Sequence, residues 1–377
     1  MEIEEEIRKA AINFCETFIK PHESEIEQSG LYIDEILKEL GSLGYMGISI
    51  PKEFGGLGLP FEIGVNISII LSKYNGTIAS ILGASQLAAL AIEIAGSTEQ
   101  KETYLSELAK GKIIGSFALT EPEAGSDPSS IKTTAQKIDE GYILNGTKAF
   151  ITNAGLASVY AVMAKTEPGA GARGISAFII NKSDTGFSVG RREHKMALDF
   201  LPNSALSFND VVIPKNRLIG REGSGFITAM KVLEIGRIFT AAGAVGLSER
   251  ALEEATIYSK RRMQGGQPIA NFQMIQSYLA DMATETEASK MLVINAARLK
   301  DKGDKKSQTY SSMAKYYSSK TAVDVARLAV QIFGGYGWVK DYVVERLYRE
   351  AKMYEIVEGT SEIQKLIIAN NLLKERK

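Results

Sequence analysis

Residues 354–365 read YEIVEGTSEIQK, with Glu358 between Val357 and Gly359 just ahead of a helix start. An apolar neighbour on one side and a flexible one on the other suit a carboxylate that moves protons, because loss of water raises a carboxyl pKa towards neutrality. The plainer alternative is a carboxylate that only complements the positive end of the next helix. Ser361 followed by Gln364 has the capping-box pattern, which predicts a helix from Ser361 and leaves Glu358 on the loop before it. Three further stretches carry chemistry-bearing residues. In FALTEPEAGSD (117–127), Thr120 ends a strand, and Gly125 and Ser126 form a turn whose amides and hydroxyl can face an anion or a polar ring. A capped strand exit explains the same residues. In KAFITNAG (148–155), Phe150 and Thr152 are two apart and share a strand face. They could hold a planar heteroaromatic ring, or be a core-and-edge pair. RRMQGGQPIANFQ (261–273) and QIFGGYGW (331–338) each carry a glycine pair. These read as helix stops, or as a site where Arg262 clamps a phosphate while Gln264, Gln273 and Gln331 offer amides to a nucleobase.

The elements that must position these residues fall into three groups. Residues 1–114 show apolar positions at helical spacing, as in LYIDEILKELGSLGY, and predict an N-terminal helical domain. Residues 115–224 shift to short β-rich runs: SFALT, TTAQKI, YILNG, KAFITN, SVYAVMA, GISAFII and SALSFNDVVI. Asp139-Glu140-Gly141 and Asn145-Gly146 read as hairpin turns between three of them, so the middle domain is expected to be a β-barrel or sandwich. Residues 225–377 return to helical period, and segments 225–263, 271–302, 305–333 and 361–375 predict a C-terminal four-helix bundle. The fold class is therefore α+β and multidomain, in the order α, β, α.

Composition narrows the chemistry. The 377 residues carry a net charge of -1 with no basic block, which points away from nucleic acid and polybasic membrane contacts. One cysteine excludes an internal disulfide, and two histidines leave no zinc cluster, so no metal is expected. The acidic start MEIEEEIRKAA resembles neither a signal nor a transit peptide, and no run is expected to span a membrane, which suggests the cytoplasm. Gly169, Gly171 and Gly174 satisfy a dinucleotide-binding spacing, but strand-like runs lie on both sides, so GAGARG reads as a hairpin loop.

ALTEPEAGSD, GTKAFITN, QIFGGYG and EGTSEIQ occur in the order and at the spacing of the acyl-CoA dehydrogenase family, which the chain resembles along essentially its whole length. The resemblance implies FAD between the β domain and the bundle, a homotetramer whose neighbouring subunit helps bind each flavin, and an electron-transferring flavoprotein as acceptor. It places Phe117, Leu119, Thr120 and Ser126 against the flavin, Ser126 also near the acyl-CoA, and Phe150 and Thr152 against the isoalloxazine ring. Arg262, Gln264, Gln273 and the stretch Gln331, Gly334 and Gly335 match contacts to pyrophosphate and adenine across a subunit interface. Thr360 and Glu362 match cofactor contacts. Glu234 and Arg237 match positions near the thioester, with Gly359 close to the substrate. Glu358 matches the base that takes the α-proton. A minority of the family carries that base where this chain has Gly236, which cannot take a proton.

The implied reaction is oxidation of an acyl-CoA to the trans-2-enoyl-CoA. In it the thioester oxygen would accept the Glu358 N–H, stabilising enolate charge as it develops. Val357 is expected to supply apolar cover and Gly359 a close approach. The chain departs from the pattern at Phe150, Val357, Gly265 and Asn370, which stand where tryptophan, tyrosine, phenylalanine and arginine are common. GASQLAAL (83–90), the expected pocket floor, is small and neutral, which disfavours a dicarboxylic acyl group. Rival expectations are an oxidase or an enoyl-CoA reductase on the same fold, and a non-catalytic acyl-CoA-binding scaffold.

Overall fold

Helical spacing of apolar residues in the first hundred positions becomes helix in the computed structural model, which describes residues 2–374. Helices α1 (Glu2–Phe14), α2 (Glu23–Ser29) and α3 (Ile33–Ser42) precede the longer α4 (Phe61–Tyr74) and α5 (Gly76–Ala95). Asn75 both ends α4, by donating its N–H to Leu71, and caps α5, by accepting from the Ile78 amide at 2.9 Å. By length and composition α5 is apolar enough to cross a membrane, contrary to the sequence expectation. Most of it is buried here, with Leu87, Leu90 and Ile92 in the largest apolar core, so its composition is that of a core helix. Two short helices, α6 (Thr98–Gln100) and α7 (Ser106–Ala109), flank a π-helical turn and lead into the sheet.

Strands β1 (Gly115–Ala118), β2 (Thr134–Ile138), β3 (Gly141–Thr152), β4 (Val159–Lys165), β5 (Ile175–Asn181), β6 (Phe187–Arg192), β7 (Asn203–Pro214) and β8 (Leu218–Ile219) make one sheet. Its order is β6-β7-β3-β2-β4-β5-β8, and β1 pairs parallel to β4. The sheet curls round its own core. Tyr160 of β4 meets Phe187 of β6 with ring centroids 4.9 Å apart, although three strands separate them in the order. This curled sheet is the middle β domain expected from the sequence as a barrel or sandwich, with its end strands β6 and β8 not paired to each other. Tyr160 and Val162 face that core, whereas Val159, Ala161 and Met163 face the helices, so β4 is apolar on both sides.

Two turn readings separate here. Asp139-Glu140 does turn β2 into β3, with Ile138 opposite Gly141. Asn145-Gly146 is no hairpin but a bulge inside the twelve-residue β3, where the pairing with β7 slips. The Asn145 amide is clamped across the strands, donating to Asp210 and accepting from its N–H, both at 2.9 Å. GAGARG does lie in the connection between β4 and β5. The edge strand β6, with alternate exposed residues, carries too little apolar signal to stand out in the sequence.

Helices α8 (Gly225–Arg261), α9 (Gln273–Asp301), α10 (Ser307–Phe333) and α11 (Val343–Ile356) form the bundle, and α12 (Ser361–Lys374) packs on α10. The fourth bundle helix is therefore 343–356 rather than 361–375. Its charges disguised it: Arg349 pairs with Glu345 at 2.8 Å, and Arg346 lies 3.1 Å from the buried Glu350. Arg346 also reaches Glu23 at 2.5 Å, and Arg250 of α8 reaches the same carboxylate at 3.1 Å. The first thirty residues are thereby tied to both α8 and α11 of the bundle.

Candidate active site

Tyr354–Ile356 closes α11 and Ser361 opens α12, so only residues 357–360 form the loop that presents Glu358. Both Glu358 (φ +55°) and Gly359 (φ +89°) are left-handed, a conformation that non-glycine residues hold only when their surroundings enforce it. Three contacts enforce it. The Lys315 ammonium donates to the Gly359 carbonyl at 2.7 Å, and the Gln364 amide donates to the carbonyls of Glu358 at 3.1 Å and Gly359 at 2.9 Å. The capping box is thus corrected: the cap of α12 is Thr360, whose hydroxyl accepts from the Ile363 amide at 3.4 Å, while Ser361 Oγ is buried without a partner. Gln364 turns away to hold the loop. A side chain at 359 would also collide with it, a Cβ there lying 2.7 Å from Gln364 Nε2.

Val357 is exposed and does not supply the expected cover. The Glu358 carboxyl instead lies against α8 at Gly236, where a Cβ would meet Oε2 at 2.7 Å and Leu87 at 3.0 Å. Gly236 is the space into which the carboxyl folds. Burial pushes the Glu358 pKa up to about 7, against the pull of Arg237 and Lys315, and Oε2 has no hydrogen-bond partner. Among the described residues the Glu358 N–H donates to no acceptor. Arg237 is buried with Nε unpartnered, and burial lowers its pKa against the pull of Glu358 and Glu234. A carboxyl oxygen, a backbone amide and a guanidinium nitrogen left without partners beside one another leave room for a polar ligand. Glu234, by contrast, is occupied: Ser307 Oγ donates to it at 2.5 Å and Lys300 lies at 3.3 Å.

A second group lies where β1 and β3 end. Phe150 stands on the bulge between Lys148 and Ile151 at φ +56°, its ring 65 % exposed, while Ile151 points into the sheet core. Thr152 is half-buried. Asn203 steadies both, donating to the Phe150 carbonyl at 3.0 Å and lying 3.5 Å from Thr152 Oγ1. Phe117 and Leu119 line the β1 exit. Thr120 lies two residues beyond the strand, its carbonyl accepting from Ala149 at 2.9 Å, and Gly125 and Ser126 are exposed on the turn that follows. Sequence reasoning missed what holds this exit. Lys148, 0 % exposed, donates to the Leu119 carbonyl at 3.0 Å and to Glu121 at 2.7 Å, and Glu121 also accepts from the Lys132 and Thr133 amides. Burial pushes Lys148 down to about 8, with Glu121 opposing.

The third group is only partly assembled. Arg262, Gln264, Gly334 and Gly335 line one cleft of about 480 Å³, where the Arg262 guanidinium lies 5.2 Å from the Tyr336 ring centre. A Cβ at Gly334 or Gly335 would meet nothing within 4 Å, so the backbone is open there. Gln273, at the start of α9, and Gln331 are exposed outside the cleft lining. Glu362 is exposed on the first turn of α12, its pKa lowered by its own backbone amide and by Thr360. Among the described residues no cluster of metal-ligating side chains occurs.

Comparison with known proteins covers all three regions. Residues 1–112 match the family profile "Acyl-CoA dehydrogenase, N-terminal domain", 116–211 the middle domain and 223–373 the C-terminal domain. The chain is 45 % identical to the acryloyl-CoA reductase (NADH) of Anaerotignum propionicum, over 98 % of this chain and 94 % of that protein. It superposes on butyryl-CoA dehydrogenase from Megasphaera elsdenii with a TM-score of 0.96 at 40 % identity, covering 99 % and 98 % of the two chains. The FAD complex of PigA gives a TM-score of 0.92 at 32 % identity, covering 99 % and 98 %.

Proposed function

Because this chain belongs to the acyl-CoA dehydrogenase family, oxidoreductases that act on CH–CH groups, we propose that it oxidises the Cα–Cβ bond of an acyl-CoA thioester to the trans-2-enoyl-CoA. The observation that carries this reading is the buried, unpartnered Glu358 carboxyl with a pKa near 7, aimed into the space left by Gly236. A carboxyl raised towards neutrality is a stronger base than an ordinary carboxylate and still loses its proton without a large prior cost. The adjacent N–H is free to donate to the thioester oxygen as charge builds there. Arg237 adds a buried positive charge on the same side. FAD is the cofactor of this fold, and bound here it supplies the acceptor for the hydride lost from Cβ.

The residues present fit that group. Phe150 offers an exposed aromatic face beside Thr152 and the Leu119–Thr120 exit, and Gly125 leaves open space at the turn with Ser126. Thr360 and Glu362 are taken to close the near edge. Arg262, Gln264, Gly334 and Gly335 would hold the phosphates of a flavin bound by a neighbouring subunit of a tetramer, with Gln273 and Gln331 towards its adenine. Accordingly Arg262→Ala is expected to lose FAD and weaken the oligomer together, by roughly 1.5–3 kcal/mol for a charge-assisted contact. Flavin content per chain and sedimentation, measured on the same sample, check it, and neither moving would remove Arg262 from the interface.

The reverse reaction is the second reading, favoured by the relative named for acryloyl-CoA reduction. A carboxyl that titrates near 7 gives back a proton as readily as it takes one. The pH dependence separates the two directions. Oxidation needs the carboxylate and should rise through pH about 7, whereas reduction needs the acid and should fall through the same range. Anaerobic titration with short, medium, branched and cyclic acyl-CoAs, followed by flavin bleaching across that pH range, tests the proposal. A protein that purifies yellow yet is bleached by none of them would not be an acyl-CoA oxidiser, and a colourless one would be the scaffold. The proposed setting is the cytoplasm, with an electron-transferring flavoprotein as acceptor.

A further inference from the structure

Lys315 is a buried cation that the proton transfer itself does not use. It lies on α10 at 0 % exposed, and among the described residues it forms no ion pair within 4 Å. Its ammonium is given to a backbone carbonyl, that of Gly359 at 2.7 Å. Burying a lysine against a neutral acceptor is costly unless its charge serves another group. Gly359 follows Glu358 directly, and both residues are left-handed, so the contact acts on the turn that aims the carboxyl.

We propose that Lys315 is a positioning residue for the proton-transfer step: it pins the Gly359 carbonyl, and its charge, with that of Arg237, lets Glu358 ionise in a dry pocket. The groups around the carboxyl leave this role to those two cations. On α8, Glu234 is engaged by Ser307 and Lys300. On α11, Glu355 pairs with Lys352 at 2.6 Å, and on α12 Glu362 is exposed, while α5 contributes the uncharged Leu87. Burial lowers the Lys315 pKa to about 8 against the pull of Glu358 and Glu355, so the ammonium still predominates at neutral pH.

The assignment rests on Glu358 being the base, but the measurement that decides it needs no turnover. The Glu358 carboxyl band is isolated by infrared difference between the FAD-loaded protein and its Glu358→Gln variant, and followed against pH. Lys315→Gln keeps a donor for the Gly359 carbonyl and removes the charge. In that background the carboxyl should titrate about one pH unit or more higher, with flavin content and melting unchanged. Lys315→Met removes both, and should add a fall in kcat beyond the one expected from the pKa shift. A Lys315→Gln protein that titrates with the wild type overturns the proposal, whatever becomes of the Met variant. A shifted titration in a protein inactive towards every thioester would instead sink the reaction and leave the role of Lys315 standing.

Discussion

Glu358→Gln is expected to yield a yellow protein that binds acyl-CoA and stays yellow. The amide keeps the side-chain shape, the left-handed turn and the free N–H, and it fits the same space against Gly236. It cannot take the α-proton, so substrate-driven bleaching should fall by at least roughly 10²–10⁴, the usual contribution of a general base. Binding should hold or tighten, since an ionisable group is removed from a desolvated position. Dithionite should still bleach the variant. Rapid mixing under anaerobic conditions reads the effect, and a near wild-type rate would move the base to Glu234. That alternative starts badly, because Glu234 is already bonded to Ser307 and faces Lys300.

The second large effect is on stability. Lys148→Met leaves the Glu121 carboxylate buried with two backbone amides and no counter-charge, and removes the donor to the Leu119 carbonyl. Breaking a buried pair from one side costs about 3–5 kcal/mol. The urea midpoint should drop accordingly, and FAD should leave early, because the Leu119–Thr120 exit loses its anchor. Lys148→Met combined with Glu121→Gln should recover part of the loss, since the orphaned charge is gone. Equal midpoints for the single and double variants would show that the pair contributes little.

Much of this arrangement is legible in the amino-acid sequence, and what stays hidden there does so for physical reasons. EGTSEIQ, ALTEPEAGSD and KAFITN announce themselves because each packs several polar residue types round a glycine or an aromatic in a short span. The features left unread depend on partners distant in sequence. Lys148 looks like one more charged residue until Glu121 is brought beneath it. Gly236 looks like a lost base until the Glu358 carboxyl is seen filling its place. Helix 343–356 hides because its charges pair with each other and with Glu23 rather than with water. Asn145-Gly146 has the local chemistry of a hairpin, yet the register of β3 against β7 continues past it, so tertiary pairing decides.

The bonds from Glu23 to Arg250 and Arg346 span 227 and 323 residues. During synthesis the first helices leave the ribosome with that acid exposed and its guanidinium partners not yet made. The amino-terminal third therefore cannot reach its final packing as an independent early unit, as vectorial folding would otherwise allow. Its completion waits for α11. With contacts this far apart in sequence the closing step is slow, and until α8 (Gly225–Arg261) has emerged the apolar face of α5 has no cover from it. Nascent chains of this protein should accordingly depend on a holding chaperone until residue 346 has emerged.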